Sequence, residues 1–216
     1  MSEFVRTKRS TVIRAPKKAC YDRDEIYAVL DEALVSQVGF VADGQPFVTP
    51  VNHWRIGDNL YFHGSSAGRR IKIMEAGADL CVSATLLDGL VFARSAMHHG
   101  MNFRSVMIFG RARLVEDEGE KLAALKALIE HLAPGRWAEV RPPSAAEMKV
   151  TKVLVMPLAE ASAKLRSGPP LDDEDDYALS AWAGEVPLRQ AFDPPISDPR
   201  LPAGVEVPGY LPRDEN

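Results

Sequence analysis

Between residues 45 and 55 apolar and polar side chains trade places at every second position. Phe47, Thr49, Val51 and His53 fall on one face, and Val48, Pro50, Asn52 and Trp54 on the other. That period predicts a strand. Pro50 has no backbone donor, which suits an edge or a bulge. Gly57-Asp58-Asn59 is turn chemistry, and residues 60–63 give a second short strand. Alternating or apolar runs predict further strands at 35–42, closed by Asp43-Gly44, and at 80–86 and 90–94, read as a hairpin about Asp88-Gly89. Two more follow at 105–115 and 149–158. Gly110, inside the first of these, predicts a bulge or the close approach of another group.

A period of 3.6 takes over in three places. Ile26, Val29, Leu30 and Ala33 recur at i, i+3, i+4 and i+7, predicting a helix over 24–33, and Asp22 with Glu25 resembles a capping box. Ile71, Ile73 and Met74, interleaved with Arg69, Arg70 and Lys72, predict a helix that begins on a cluster of cations and ends at Gly77. Leu122, Leu125, Leu128, Ile129 and Leu132 give residues 120–133 an apolar stripe suited to packing on a sheet, stopped by Pro134-Gly135. Six or seven short strands, two or three helices and no βαβ repeat predict an α+β protein, mainly β, built as an antiparallel barrel or sandwich. No GxGxxG is present, which speaks against a dinucleotide-binding α/β fold.

A length of 216 residues predicts one domain, with a core over about 22–160 and a tail over about 168–216. Residues 1–21 read as polar, basic and irregular, without the apolar core of a secretory signal. The acidic run 172–176 reads as a solvated linker. Nine of the sixteen prolines lie from Pro169 onward, so the tail is extended, and Trp182, Phe192 and Tyr210 favour wrapping over a surface. A net charge of −4 argues against a general nucleic-acid binder. No apolar run reaches membrane-spanning length. Cys20 and Cys81 are too few for a disulfide framework and point to a reducing cytosol.

The lead-in to the second helix carries the clearest candidate chemistry. Ser65, Ser66 and Gly68 leave backbone amides free, Ser66 is placed to cap, and Arg69, Arg70 and Lys72 sit in the first turn, where cations oppose the helix dipole. A bound anion, most simply a phosphate, accounts for that cost; a solvated basic helix start is the alternative. Adjacent histidines on a strand point to opposite faces, so His98-His99 speaks against a zinc site. Either can donate a proton near neutral pH or be a loop histidine without a role. Arg94 and Arg104 read as contacts for an anionic substrate or as surface salt bridges.

Four segments together carry a resemblance: PFVTPVNHW, LYFHGSSAGRR, GLVFARSAMHHGMNFRSVMIFGRARLVED and AWAGEVPL. From about Tyr21 to Tyr210 the chain resembles the flavin-nucleotide-binding proteins related to pyridoxamine 5′-phosphate oxidase, which include the nitroimidazole reductases. The resemblance implies an FMN-binding split β-barrel that forms a homodimer with FMN at the subunit interface. It sets Arg69 and Arg70, with Lys72 beside them, on the FMN phosphate, where the oxidases carry an Arg-Lys pair. Thr49, Pro50, Val51 and Asn52 match the strand along the isoalloxazine; the oxidases have basic residues there, and Thr49 and Trp54 stand in their places. His63, Gly64 and Ser65 match the end of the next strand, near the phosphate and ribityl chain. Ser105 begins a strand facing the cofactor, and Trp182 resembles a late tryptophan that reaches the flavin from the other subunit. The implied activity is an FMN-dependent oxidoreductase acting on a small molecule, with a nicotinamide nucleotide as donor. Pyridoxamine 5′-phosphate oxidation is not expected, because the groups that hold that substrate's phosphate are not recognisable. The alternatives are a non-catalytic FMN store or sensor, and a haem-binding relative with His53, His63, His98 or His99 on the iron.

Overall fold

In the computed structural model, which describes residues 2–212, the alternating segments become two antiparallel sheets. The chain runs through β1 (Ala19–Cys20), α1 (Arg23–Glu32), β2 (Ser36–Ala42), β3 (Gln45–Val51), β4 (His53–Ile56), β5 (Asn59–Ser65) and α2 (Arg69–Glu75). It continues through β6 (Leu80–Phe92), β7 (Gly100–Gly110), β8 (Arg113–Leu114), α3 (Glu118–Leu132), α4 (Ala145–Val150), β9 (Thr151–Pro157), β10 (Glu160–Arg166) and β11 (Gly184–Pro187). The larger sheet has the order β1-β10-β7-β6-β2-β3, and β11 joins β6 beyond the stretch that β2 covers. The smaller has the order β4-β5-β9-β8. The mainly antiparallel α+β architecture expected from the sequence is present.

Several boundaries move, each for a physical reason. The 45–55 segment breaks at Asn52, so that β3 closes the border of the large sheet while β4 enters the small one. Pro46 and Pro50 are tolerated because β3 is a border strand. The Asp88-Gly89 hairpin does not form. β6 runs through that dipeptide with a register shift between Leu87 and Gly89. Arg104 on β7 grips the Asp88 carboxylate at 2.8 Å and also pairs with Glu32. A Cβ on Gly89 would lie 2.9 Å from the Val186 carbonyl, so glycine serves strand pairing here and not a turn. The 105–115 segment also divides: β7 starts earlier, at Gly100, and the chain changes sheet after Gly110, which packs against Met156. The start of the 149–158 segment is helical, because Ser144 and Glu147 form a reciprocal capping box on α4. β10 went unseen in the sequence. Residues 2–21 are tied to the fold: Phe4 is buried, and its amide donates to the Tyr21 carbonyl at 2.9 Å.

Asp22 caps α1 by accepting from the amides of Asp24 and Glu25, a contact worth about 1 kcal/mol. α1 and α2 then cover the main core with Ile26, Leu30, Ile71 and Met74 against Phe62, Ile108 and Met156. A second cluster lies under α3 and joins Trp54, Tyr61, Val115, Ala124, Leu128, Val153 and Val155. β5 therefore feeds both: Leu60 and Phe62 point to the main core, Tyr61 to the second. The α3 stripe is only partly used for packing, since Leu122 and Leu132 stay exposed and Ala124 and Leu128 make the buried contact. No described helix is long and apolar enough to cross a membrane.

Candidate functional site

The end of β5 and the start of α2 form a corner of the small sheet. Ser65 turns the chain, its carbonyl accepting from the Gly68 amide at 2.9 Å and its hydroxyl from Ala67 at 3.3 Å. Gly68, not Ser66, occupies the position before the helix, and no side chain caps it. Gly64 is required by space: a Cβ there would meet Ile71 at 2.8 Å. Arg69 and Lys72 point to solvent. The Arg69 guanidinium lies over the Phe47 ring, 5.1 Å from its centroid, which ties β3 to the corner. Thr49 follows two positions along β3, its hydroxyl oxygen buried without a hydrogen-bond partner. Val51 is buried, and Pro50 and Asn52 are exposed.

Arg70 behaves differently from its neighbour. Its guanidinium folds inward, donating to the His63 carbonyl at 3.1 Å and reaching the Met74 sulfur at 3.7 Å. Burial lowers its pKa. The two arginines thus face opposite ways, and Arg69 and Lys72 are the cations offered to a ligand.

His63 looks into a cavity of about 470 Å³, within the ~300–1,000 Å³ usual for cofactor and ligand pockets. Leu125, Leu128 and Ile129 of α3 line it, with Trp137, Val140 and Met148 opposite and Arg141 and Glu147 at its polar end. The His63 ring is half-buried, and its Nδ1 is buried without a partner. Burial, and then the charge of Arg70, push its pKa down. The imidazole is therefore neutral at physiological pH, the form that ligates metals. Of the four histidines considered as iron ligands, His63 alone lines this cavity. His53 is fully buried and spends Nε2 on the Leu30 carbonyl at 2.9 Å. The cavity was not foreseen. Its signal was an excess of large apolar residues on α3 and after it, more than one helix face can press against a four-stranded sheet.

His98, His99 and Trp182 gather elsewhere. Phe92 at the end of β6 receives His99 edge-on at 5.8 Å and Trp182 at 6.0 Å. Val82, level with Thr49 through Val38, lies ten residues back along β6, so this cluster sits towards the far end of that strand. Ser105 is mid-strand, paired with Thr85 and Lys164, and three strands or ~14 Å from β3. One chain therefore does not bring Ser105 or Trp182 to the corner.

Asp172 corrects the reading of 172–176 as a solvated linker. Its side chain is fully buried and accepts from the Arg94 and Ser95 amides and the Arg94 guanidinium. His98 and Asp176 bring further ligand atoms within 4.8 Å of it, but its oxygens are already committed to Arg94 and Ser95. Arg94 and Arg104 are thus ion-paired structural residues. Burial pushes the Asp172 pKa up, and the three donors outweigh it and hold the carboxyl below its ordinary value. The unfolded chain binds this proton at a higher pH than the folded one does. The contribution to stability is complete above the ordinary aspartate pKa and is lost as pH falls through the depressed value. Asp172→Asn should remove this acid-limb dependence and raise proteolytic cleavage within 93–99 at neutral pH, which limited proteolysis across a pH series will measure.

Comparison with known proteins supplies a context for this geometry. Residues 22–165 match the family described as pyridoxamine 5′-phosphate oxidase. The structure of the flavocytochrome Anf3 from Azotobacter vinelandii is similar at 46% identity, with 95% of each chain covered and a TM-score of 0.91. That of the FAD and haem binding protein from Mycobacterium smegmatis is similar at 33% identity, covering 89% of this chain and 95% of the other, with a TM-score of 0.86. A candidate 5-nitroimidazole antibiotic resistance protein from Bacteroides thetaiotaomicron, at 24% identity, covers 68% of this chain and 85% of its own and shares the fold with a TM-score of 0.58. No curated protein matches.

Proposed function

Because the chain belongs to the pyridoxamine 5′-phosphate oxidase family, we propose that it is a redox protein that binds a flavin at the β5–α2 corner and a haem in the neighbouring apolar cavity. The observation that carries this reading is the end of β5. His63 lines an apolar cavity, and two residues later the strand ends at Ser65, from which the chain turns into α2 and sets Arg69 on a solvent-facing cationic corner. The names of the two most similar solved structures described above support it, one a flavocytochrome and the other a protein binding FAD and haem.

Each residue then has a task. Arg69 and Lys72 hold the flavin's phosphate by charge. Thr49, Pro50, Val51 and Asn52 run alongside the ring. His63 would hold the haem iron, and Arg70 fixes its peptide from behind. Leu125, Leu128, Ile129 and Trp137 exclude water, and Arg141, held by Glu147 through both terminal nitrogens, stands at the polar end. When bound, the flavin accepts electrons in pairs and releases them singly, which suits a one-electron haem partner. FMN, implied by the family resemblance, and FAD, named for the mycobacterial relative, share the ring and phosphate that the corner recognises.

The exposed apolar residues Val41, Val48, Leu90, Met101 and Met107 on the large sheet suit a second copy of the chain, as the family resemblance implies. A homodimer with the flavin at its interface would let Ser105 and Trp182 of one copy approach the corner of the other. Cys20 and Cys81 are free thiols, which suits the cytoplasm.

The test is an absorbance spectrum after incubation with FMN, FAD and haemin in turn, followed by desalting. Retained flavin bands and a Soret band are expected. A folded protein that keeps flavin but no Soret band loses the haem half of the reading, and one that keeps no flavin loses the other. Oxidation of reduced nicotinamide by the loaded protein separates an oxidoreductase from a flavin store.

A further inference from the structure

We propose that the C-terminal tail is a strap, latched at Tyr210, that governs how fast one wall of the His63 cavity opens. That wall is the short 3-10 helix Arg136–Ala138 and the two residues after it. Such a helix turns once in three residues, so side chains at i and i+3 share a side. Trp137 and Val140 accordingly line the cavity. Arg136 and Glu139, at the same spacing, line a second hollow of about 650 Å³ instead, and the rest of that hollow is tail, between Pro195 and Leu211.

The tail crosses to this place as a span held at its two ends. One end is β11, paired with β6. Every residue from 188 to 207 is exposed, and among the described residues exposure falls again at Pro208, Tyr210 and Leu211. Pro194, Pro195, Pro199 and Pro202 stiffen the span, so it has less slack than a glycine-rich linker of that length. At the other end the Tyr210 hydroxyl accepts from the Arg136 guanidinium at 3.2 Å and donates to the Glu139 carboxylate. Those two charges also pair with each other at 3.3 Å. One phenol therefore ties both outward-facing residues of the wall.

On its α3 side the wall hangs from Glu130, whose carboxylate accepts from the Gly135 amide at 2.7 Å and the Trp137 amide at 3.1 Å. Gly135, at φ +93°, is the pivot between α3 and the wall. With Tyr210 released, Trp137 and Val140 can swing about that pivot, while the α3 lining stays in place. The latch thus changes entry and exit rates together and leaves equilibrium retention as it was. What passes is haem on the reading given above; the latch itself is independent of that reading.

The experiment uses the full-length chain before any haemin is added. Hydrogen exchange of residues 135–141 reports on the wall. A thiol introduced by Ile129→Cys, on the α3 side of the cavity, reports access through its rate of alkylation by N-ethylmaleimide, with Cys20 and Cys81 as internal references. Tyr210→Phe should speed both readouts about five- to tenfold, as expected for one lost hydrogen-bonded latch, and leave exchange in α1 and labelling of Cys20 and Cys81 unchanged. Arg136→Gln combined with Tyr210→Phe should add little to either alone, because both break one network. Unchanged exchange over 135–141 in Tyr210→Phe overturns the latch. Faster exchange with unchanged alkylation means that the tail braces the wall without gating the cavity, and overturns the strap. Neither readout needs haemin, so failure of the haem reading leaves both as decisive as before.

Discussion

His63→Ala will leave the protein folded and able to hold flavin but unable to retain haem. The substitution removes the one histidine that lines the cavity. The ring is half-buried and not part of either core cluster, so the fold loses little. Loss of an outer partner to a metal ligand costs ~10–100-fold in affinity, and loss of the ligand itself should exceed that range. Haem titration followed at the Soret band measures it, with the flavin bands as the internal control. Retention should also depend on pH. Burial and Arg70 hold the His63 pKa below its ordinary value, so protons compete for the ring only as pH falls beneath the usual histidine range. The wild type should therefore keep haem through neutral pH and release it on acidification. A His63→Ala protein with an undiminished Soret band would end the assignment.

Arg69→Ala and Arg70→Ala should fail in different ways, although the two residues are adjacent. Arg69 faces solvent over Phe47, and on the proposed reading removing it deletes a charge-assisted contact to the flavin phosphate. Such contacts are worth about 1.5–3 kcal/mol, so flavin affinity should fall roughly 10- to 150-fold with the Soret band unchanged. Arg70 donates to the His63 carbonyl and lies against Met74. Its loss frees the strand carrying His63, the proposed iron ligand, so the larger effect should fall on haem, by about tenfold as for an outer-shell partner. Fluorescence titration with FMN and FAD, run beside haem titration, reads both arms. Equal loss of flavin affinity in the two variants would mean that Arg70 turns outward to bind phosphate.

How far the sequence could be read depended on the range of the interactions involved. Alternation in 45–51 and the cap at Asp22 are local, and both were legible. The cationic corner was legible for Arg69 and Lys72, because residue type and position sufficed. The inward turn of Arg70 was not, because it depends on the His63 carbonyl seven residues away. Asp88-Gly89 misled for the same reason. The dipeptide is a turn signal in isolation, but Arg104 and the Val186 carbonyl, sixteen and almost a hundred residues distant, make it a step within a strand. Asp172 looked like one more charge in an acidic run until the fold set it against the amides of Arg94 and Ser95. The α3 stripe was read correctly as apolar and incorrectly as fully packed, since periodicity reports which side of a helix is greasy and not whether protein or cavity covers it.

Strand β11 has a consequence for the handling of this protein. Among the described residues, β6 between Gly89 and Phe92 has no neighbour but β11 on the side away from β7, because β2 covers only Cys81 to Ser83 there. The tail reaches this place after a largely exposed passage over 171–183 that a protease can enter. A chain clipped before Gly184 would keep its corner and its cavity yet bare a ladder of unpaired amides and carbonyls beside Leu90 and Val91. Such a ladder is a template for pairing with another molecule. Clipping before Gly184 should therefore promote self-association without loss of cofactor, which light scattering of intact and clipped protein will measure.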